Sequence, residues 1–199
     1  MSLRRPFRLI ALLLIVGGLR TVAAQSTSWA LMPVGSPHTS LAHLSPEDRA
    51  LATRLLRPEL GPLFQGESPK VADDAIRSFL AEHIRLGNIS AIVLQSTGSD
   101  LCSLTGNCAL WIIDVTLRRV ILRPGPVRGF TIARGTTRGV PDIFTSMHGS
   151  ATETDRTLWS FNGNRYEAKA CARVDFADAD GKPYSQPKVT PQPCSPEDN

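Results

Sequence analysis

The sequence predicts an α+β fold, in which N-terminal helices pack on an antiparallel β-sheet of about five to seven strands. Two patterns lead to this prediction. Helix-start signals occur at residues 45–46 and 68–69, whereas the later part of the chain consists of short β-rich runs separated by turn residues. The 199 residues suffice for one domain with its own hydrophobic core. We therefore expect a single α+β domain over residues 45–176.

Residues 1–24 have the pattern of a cleavable signal peptide. An arginine-rich start precedes an apolar run of about ten residues, and small residues at 22–24 make Gln25 the expected mature start. The alternative is a transmembrane anchor, which needs about 20 apolar residues, but Arg20 ends this run too early. A twin-arginine export signal is less favoured than the ordinary secretory route. We expect a periplasmic or secreted protein with no membrane span after cleavage.

The formal net charge of +4 does not indicate a nucleic-acid partner. Four of the 22 basic residues lie in the predicted signal peptide, so 18 basic residues face 18 acidic ones in the mature chain. A neutral chain lacks the broad positive field that attracts phosphate backbones. We therefore predict no nucleic-acid partner.

The helices are predicted from their start and stop signals. Residues 25–44 carry no charged side chain and are expected to form an extended lead-in. Ser45 then provides an N-cap, and Pro46 suits the first helical position. Pro58 is expected to end this first helix. A second helix is predicted over residues 68–87, because apolar residues recur there at helical spacing and a glycine ends the run.

After residue 87 the pattern changes to that of strands. β-branched and aromatic residues form short runs bounded by turn residues. The predicted strands cover residues 89–95, 109–115, 119–123, 129–134, 140–146, 157–161 and 165–174. Asn162-Gly163-Asn164 is the clearest hairpin turn. Three alanines share the predicted buried face of the last strand, which leaves room for the second helix to pack across the sheet.

The end of the chain is predicted to be a tail that is tied back by a disulfide. Five prolines in residues 177–199 are expected to preclude regular structure. Four cysteines in an exported chain favour two disulfides, with three possible connectivities. The short spacing favours Cys102 with Cys108, which leaves Cys171 for Cys194. A zinc site is the alternative, but no C-x2-C pair and no histidine cluster supports it.

Several short motifs resemble those of a known group of proteins. They are the C-x5-C loop at 102–108, a G-x-x-D step at 139–142 and an F-x-G-x-x-Y hairpin at 161–166. Together they resemble a group of small exported bacterial proteins, and this resemblance brings no activity with it. Residues 138–166 also resemble one blade of an FG-GAP-type propeller, although residues 136–139 lack the carboxylates of the calcium loop in such blades.

The familiar catalytic motifs do not occur. The sequence contains no G-x-S-x-G, H-E-x-x-H, P-loop or dinucleotide fingerprint. Asp142, His148 and Ser150 could form a hydrolase triad, but three such residues in a polar stretch are expected by chance. The aspartates within 175–180 only faintly suggest a calcium loop, and a solvated turn is the better interpretation. We therefore predict no cofactor and no metal, and an enzyme is the less favoured class.

The leading hypothesis is an exported, non-enzymatic binding or inhibitor-like module that acts on an unknown protein or cell-wall partner. A loop closed by a disulfide loses less conformational entropy on binding, so Leu104 and Asn107 are candidate contact residues. Further candidates come from the polar stretch that follows: Arg134, Arg138, Asp142 and His148. The alternatives are an envelope hydrolase that uses Asp142 and His148, or a structural envelope protein.

A basic cluster is the remaining candidate surface. Six arginines occur between residues 118 and 138: Arg118, Arg119, Arg123, Arg128, Arg134 and Arg138. If adjacent strands align them, they could make an anion-facing patch. The alternative interpretation is that arginine commonly occupies the solvent-facing positions of strands.

Overall fold

The computed structural model describes residues 32–65 and 68–194, and this part of the chain is mostly β. The predicted signal peptide and residues 25–31 lie outside the described residues. The two α-helices are α1 (Pro46–Leu60) and α2 (Pro69–Arg77), with short 3-10 turns at Leu41–His43 and Gly61–Phe64. The strands are β1 (Thr39–Ser40), β2 (Leu80–Leu86), β3 (Ile89–Gln95), β4 (Cys108–Asp114), β5 (Arg119–Leu122), β6 (Pro126–Val127), β7 (Gly129–Thr137), β8 (Val140–His148), β9 (Glu153–Phe161), β10 (Tyr166–Ala177) and β11 (Pro183–Gln192).

The strands form two antiparallel sheets instead of the single sheet that the sequence predicted. The 6-stranded sheet has the order β1-β2-β3-β4-β5, with β6 paired to β4. The 5-stranded sheet has the order β11-β10-β9-β8-β7. The antiparallel pairing is confirmed. The prediction of one sheet is wrong because period-two alternation identifies strands without showing which edges meet.

Strands β3 and β4 are buried on both faces. Val93 of β3 belongs to the hydrophobic cluster that lies between the sheets and also contains Ile143 and Trp159. Its neighbour Ile92 belongs to a second cluster, which also contains Leu56 of α1. Because successive side chains of a strand point to opposite faces, the 6-stranded sheet has the 5-stranded sheet on one side and helical residues on the other.

Helix α1 begins as predicted and ends two residues beyond the predicted stop. Ser45 Oγ accepts the Asp48 backbone N–H at 3.1 Å, and Pro46 is the first helical residue. Pro58 lies inside the helix, which continues to Leu60. A proline this close to the end removes only one of the last backbone hydrogen bonds, so the final residues can still complete the turn.

The predicted second helix is helical only in its first part. Helix α2 ends at Arg77, and residues 80–86 form β2, which pairs with β1 and β3. Phe79, between them, is fully buried and stacks on Trp111 with ring centroids 5.5 Å apart. The backbone hydrogen bonds of β2 with its neighbours and the burial of Phe79 stabilise the strand more than helical spacing alone could stabilise a helix. Gly87 is therefore part of the hairpin turn between β2 and β3, with φ +62°, and does not end a helix.

A bulge divides the alanine face of β10. Ala168 pairs with Trp159, but Ala170 pairs with Leu158, so one extra residue shifts the register between them. Ala168 packs against the cluster between the sheets. The alanines after the bulge turn to the opposite face, so they do not form the single surface for the second helix that strict alternation predicted.

The C-terminal tail is a strand as far as residue 192. Strand β11 pairs with β10, so the prediction that prolines preclude regular structure is wrong. Prolines are tolerated here because β11 is an edge strand and Pro183 is its first residue. The pairing with β10 is also irregular between Pro183 and Lys188, where the register shifts. The disulfide between Cys171 and Cys194 ties the chain to β10 directly after this strand.

Four hairpin turns meet at one end of the sheets, which we call the turn end. They are residues 87–88, 115–118, 138–139 and 162–165. A Cβ atom on Gly87 would lie 2.5 Å from the Gly139 carbonyl oxygen, and Arg119 Nη1 donates to Asn164 Oδ1. Each sheet therefore contributes two turns that contact those of the other sheet.

The close approach at Gly87 generates a stability prediction. We expect Gly87→Ala to lower the free energy of unfolding by about 2 kcal/mol or more, because alanine must adopt a left-handed φ and collide with the Gly139 carbonyl. Urea unfolding followed by fluorescence measures the change. Gly98→Ala is the control: a Cβ there meets no atom within 4 Å, so a shift within about 0.5 kcal/mol is expected. Equal stability of the two variants would contradict the contact.

Candidate functional site

The loop between β3 and β4 is closed by the disulfide that the cysteine spacing predicted. Cys102 and Cys108 are bonded, and Ser103 accepts the Gly106 N–H at 2.9 Å across a tight turn. Leu104 stands in this turn with a relative exposure of 109%, the value of a side chain wholly in solvent. The loop therefore presents an apolar side chain at its tip while its base is covalently fixed.

Asn107 connects this loop to the end of β8. Its Nδ2 donates to the His148 carbonyl at 2.8 Å, and its Oδ1 accepts the His148 backbone N–H at 2.8 Å. Nδ2 also donates to Thr105 Oγ1 at 2.9 Å. Asn107 is only 4% exposed, so this predicted contact residue has a positioning role inside the loop. The structure thus brings two predicted site residues together through the backbone of one and the side chain of the other.

A cavity of about 370 Å³ opens beside the closed loop. Cys102 lines it, together with Glu59, Trp111 and Arg123. The Glu59 carboxylate accepts the Trp111 indole N–H at 3.1 Å and pairs with the Arg123 guanidinium at 3.1 Å. The cavity therefore has an apolar wall and one fixed carboxylate–guanidinium pair. We call this cavity, the closed loop (residues 102–108) and the end of β8 the loop end.

His148 is held next to Arg128 at the loop end. Arg128 Nη1 contacts His148 Nε2, an arrangement that suits a neutral imidazole accepting a hydrogen bond. Partial burial, and then the Arg128 charge, lower the pKa of His148 from its ordinary value of 6.5. The lowered pKa favours the neutral form of the His148 imidazole.

Asp142 lies at the opposite end of the same strand. It lies six positions before His148 along β8, a distance of about 20 Å, so the two side chains cannot share a catalytic centre. Asp142 is buried, its Oδ1 has no hydrogen-bond partner among the described residues, and Lys169 Nζ lies 3.9 Å from Oδ2. Burial, and then the Asp142 charge, raise the pKa of Tyr166, whose hydroxyl donates to the Pro141 carbonyl at 2.8 Å.

The six arginines of the predicted basic cluster separate into groups. Arg123 and Arg128 lie at the loop end, and Arg134 is exposed on β7. The remaining members reach the turn end: Arg118, Arg119 and Arg138. The cluster is split because β5 and β7 each run from one end of the sheets to the other, so arginines close in the chain lie at opposite ends.

Other features of the described residues are structural. Asp178 Oδ1 accepts the N–H groups of Asp180 and Lys182 at 3.0 and 2.9 Å, which makes the turn between β10 and β11. Within residues 32–65 and 68–194, no three His, Cys, Asp or Glu side chains lie together as metal ligands would. The helices in those ranges are too short or too polar to cross a bilayer.

Comparisons with protein-family models, with curated proteins and with solved structures found no match for this chain. The resemblance to small exported bacterial proteins and to a propeller blade therefore stays a prediction. The two disulfides indicate an oxidising environment.

Sequence reasoning missed Glu59, and it named Arg128 only as a member of the basic cluster, without its contact to His148. Glu59 lies 52 positions before Trp111 in the chain, and Arg128 lies 20 positions before His148. No local spacing reports such contacts. The one usable signal was Trp111 itself, since a buried indole N–H usually requires an acceptor.

The two hydrogen bonds from Asn107 generate a prediction about loop order. We expect Asn107→Ala to lower the free energy of unfolding by about 1–3 kcal/mol, because it leaves the His148 backbone groups without their partner. Amide hydrogen exchange at His148 should become faster. Asn107→Asp is the comparison variant: it keeps an acceptor for the His148 N–H, but it loses the donor and places a negative oxygen against the His148 carbonyl. Unchanged exchange at His148 in Asn107→Ala would contradict the role of Asn107.

The lowered pKa of His148 generates a pH prediction. The folded protein binds the His148 proton less tightly than the unfolded chain, so its free energy of unfolding should fall as pH drops below 6.5 and through the lower folded pKa. Replacing Arg128 with glutamine should raise the pKa of His148 toward 6.5 in an NMR titration. Arg123→Gln, which alters an arginine paired with Glu59, serves as control. An unchanged His148 titration in Arg128→Gln would contradict the assigned cause.

Proposed function

We propose that this protein is an exported, non-enzymatic binding module of the inhibitor-like kind, and that its loop end binds a protein partner. The observation that carries the proposal is the position of Leu104, fully exposed on a turn that a disulfide closes. An apolar side chain on a rigid projection fills an apolar pocket at little entropic cost. If that pocket serves the partner's own activity, the bound leucine inhibits the activity by occupying the pocket.

The construction of the loop supports this assignment. The disulfide, the turn hydrogen bond from Gly106 and the two bonds from Asn107 to His148 all restrain the same seven residues. None of these bonds uses the Leu104 side chain. A loop that served only to connect β3 with β4 would not require an exposed leucine at its tip.

The neighbouring cavity supplies a second contact surface. Its wall includes Cys102 and Trp111, and the paired charges of Glu59 and Arg123 offer one donor group and one acceptor group to a partner. Protein interfaces combine such an apolar anchor with a polar rim. This combination favours a protein partner over a cell-wall glycan.

The hydrolase alternative does not gain support. Asp142 and His148, the residues it requires, lie about 20 Å apart along β8, and the His148 ring contacts Arg128. An enzyme of this chain would need a different set of groups. The periplasm or the extracellular medium is the proposed location, because the chain carries two disulfides and the predicted signal peptide precedes them.

The test is affinity capture from a native envelope extract, with the oxidised chain from Gln25 as bait. We expect capture of a stoichiometric protein partner. Leu104→Ser should lower the affinity for this partner by tenfold or more, which is about 1.4 kcal/mol or more of binding free energy. The melting temperature should not change, because Leu104 contacts solvent.

Leu117→Ser is the matched control, since Leu117 is also exposed but lies at the turn end. It should capture the partner like the wild type. Replacing Cys102 and Cys108 together with serine should weaken capture through loss of loop order. A partner retained equally by wild type and Leu104→Ser would refute the loop as the binding site.

A further inference from the structure

The turn end brings together four arginines from three different hairpins. Arg118 belongs to the turn between β4 and β5, and Arg119 is the first residue of β5. Arg138 belongs to the turn between β7 and β8, and Arg165 to the turn before β10. Their proximity follows from contacts between the turns. Arg119 donates to Asn164, and a Cβ atom on Gly163 would lie 3.5 Å from Arg138 Nη1.

The four arginines of the turn end outnumber the carboxylates Asp114 and Glu167 beside them. Among the described residues, only Arg165 of the four arginines forms an ion pair, with Glu167 at 3.5 Å. Asp114 is buried, and its Oδ1 accepts the backbone N–H of Leu117 at 2.9 Å. A chain that is neutral after its first 24 residues therefore concentrates positive charge at one end.

Two of these arginines have an unfavourable backbone conformation. Arg118 has φ 54° and Arg138 has φ 55°, and within the described residues they are the only non-glycine residues with positive φ. Glycine or asparagine would adopt this conformation with less strain. Strained residues of this kind concentrate at functional sites. Both are exposed arginines at the same end, in hairpin positions where glycine or asparagine is usual.

An apolar side chain accompanies the arginines. Leu117 is 59% exposed and directly precedes Arg118 at the tip of its turn. The turns carry no aromatic side chain, which single-stranded nucleic acids require for base stacking. Basic residues around an exposed leucine are instead the combination that binds membrane surfaces, where phosphates lie above an apolar layer.

We propose that the turn end docks on an anionic phospholipid surface. The exposed arginines contact headgroup phosphates, for which the guanidinium fork is well suited, and Leu117 enters between the headgroups. They are Arg118, Arg138 and Arg165. The protein lies on the membrane without crossing it. This inference is independent of the proposed function, which concerns the loop end.

The test is co-sedimentation of the oxidised chain from Gln25 with phosphatidylcholine vesicles, prepared with and without phosphatidylglycerol. We expect binding only to the vesicles that contain phosphatidylglycerol, and we expect high salt to abolish it. Arg118→Gly and Arg138→Gly should each weaken binding about fivefold, the loss typical of one arginine near a charged membrane. Leu117→Ser should weaken it as well.

The glycine variants separate binding from folding. Glycine relieves the left-handed strain, so the melting temperature of Arg118→Gly and Arg138→Gly should stay the same or rise. Arg54→Gln removes an exposed arginine of α1 and should bind vesicles like the wild type. Leu104→Ser is the corresponding control for Leu117→Ser, because it removes an exposed leucine at the loop end.

Three results would overturn the proposal. They are equal binding to vesicles with and without phosphatidylglycerol, wild-type binding by the Arg118→Gly/Arg138→Gly double variant, and displacement by inorganic phosphate at the concentration of lipid phosphate. The last result would assign the turn end to a free anion and not to a lipid surface. Capture of a partner through Leu104 would be unaffected by any of them, so the two proposals fail separately.

Discussion

Strands β3 and β4 have apolar side chains on both of their faces, and the remaining structure is arranged around them. Ile92 and Ile113 pack toward helix α1, whereas Val93 and Ile112 pack toward the second sheet. A strand with two apolar faces is stable in water only when both faces are covered. The helical segment and the five-stranded sheet provide this cover, which explains why the chain forms two sheets and not one.

The same two strands determine how far apart the candidate surfaces lie. Strand β4 begins at Cys108, in the closed loop, and ends at Asp114, whose carboxylate shapes the turn that carries Leu117. Seven extended residues span about 20 Å, so the loop end and the turn end face opposite directions. A molecule that rests on a membrane through one end would present the other to a partner away from that membrane.

Several features could be predicted from the sequence because their causes are local. The cap at Ser45, the boundaries of β3 and the hairpin around Gly163 depend on residues within a few positions. Of the candidate site, the closed loop and its exposed Leu104 were predictable from cysteine spacing. The role of Asn107 was not, because its partner His148 lies 41 positions away and is contacted through backbone atoms. Strand β2 was mistaken for helix because its apolar spacing fits both periods, and only pairing with β3 decides between them.

The sequence by itself predicted antiparallel strands after residue 87 and a local disulfide between Cys102 and Cys108. Those properties follow from side-chain period, turn residues and short separations. The division into two sheets, the bulge in β10, the strand made by the C-terminal residues and the meeting of four turns were decided only by the tertiary structure. Each of these features depends on contacts between residues far apart in the chain. Such contacts stabilise the protein only when the two apolar faces of β3 and β4 are both covered.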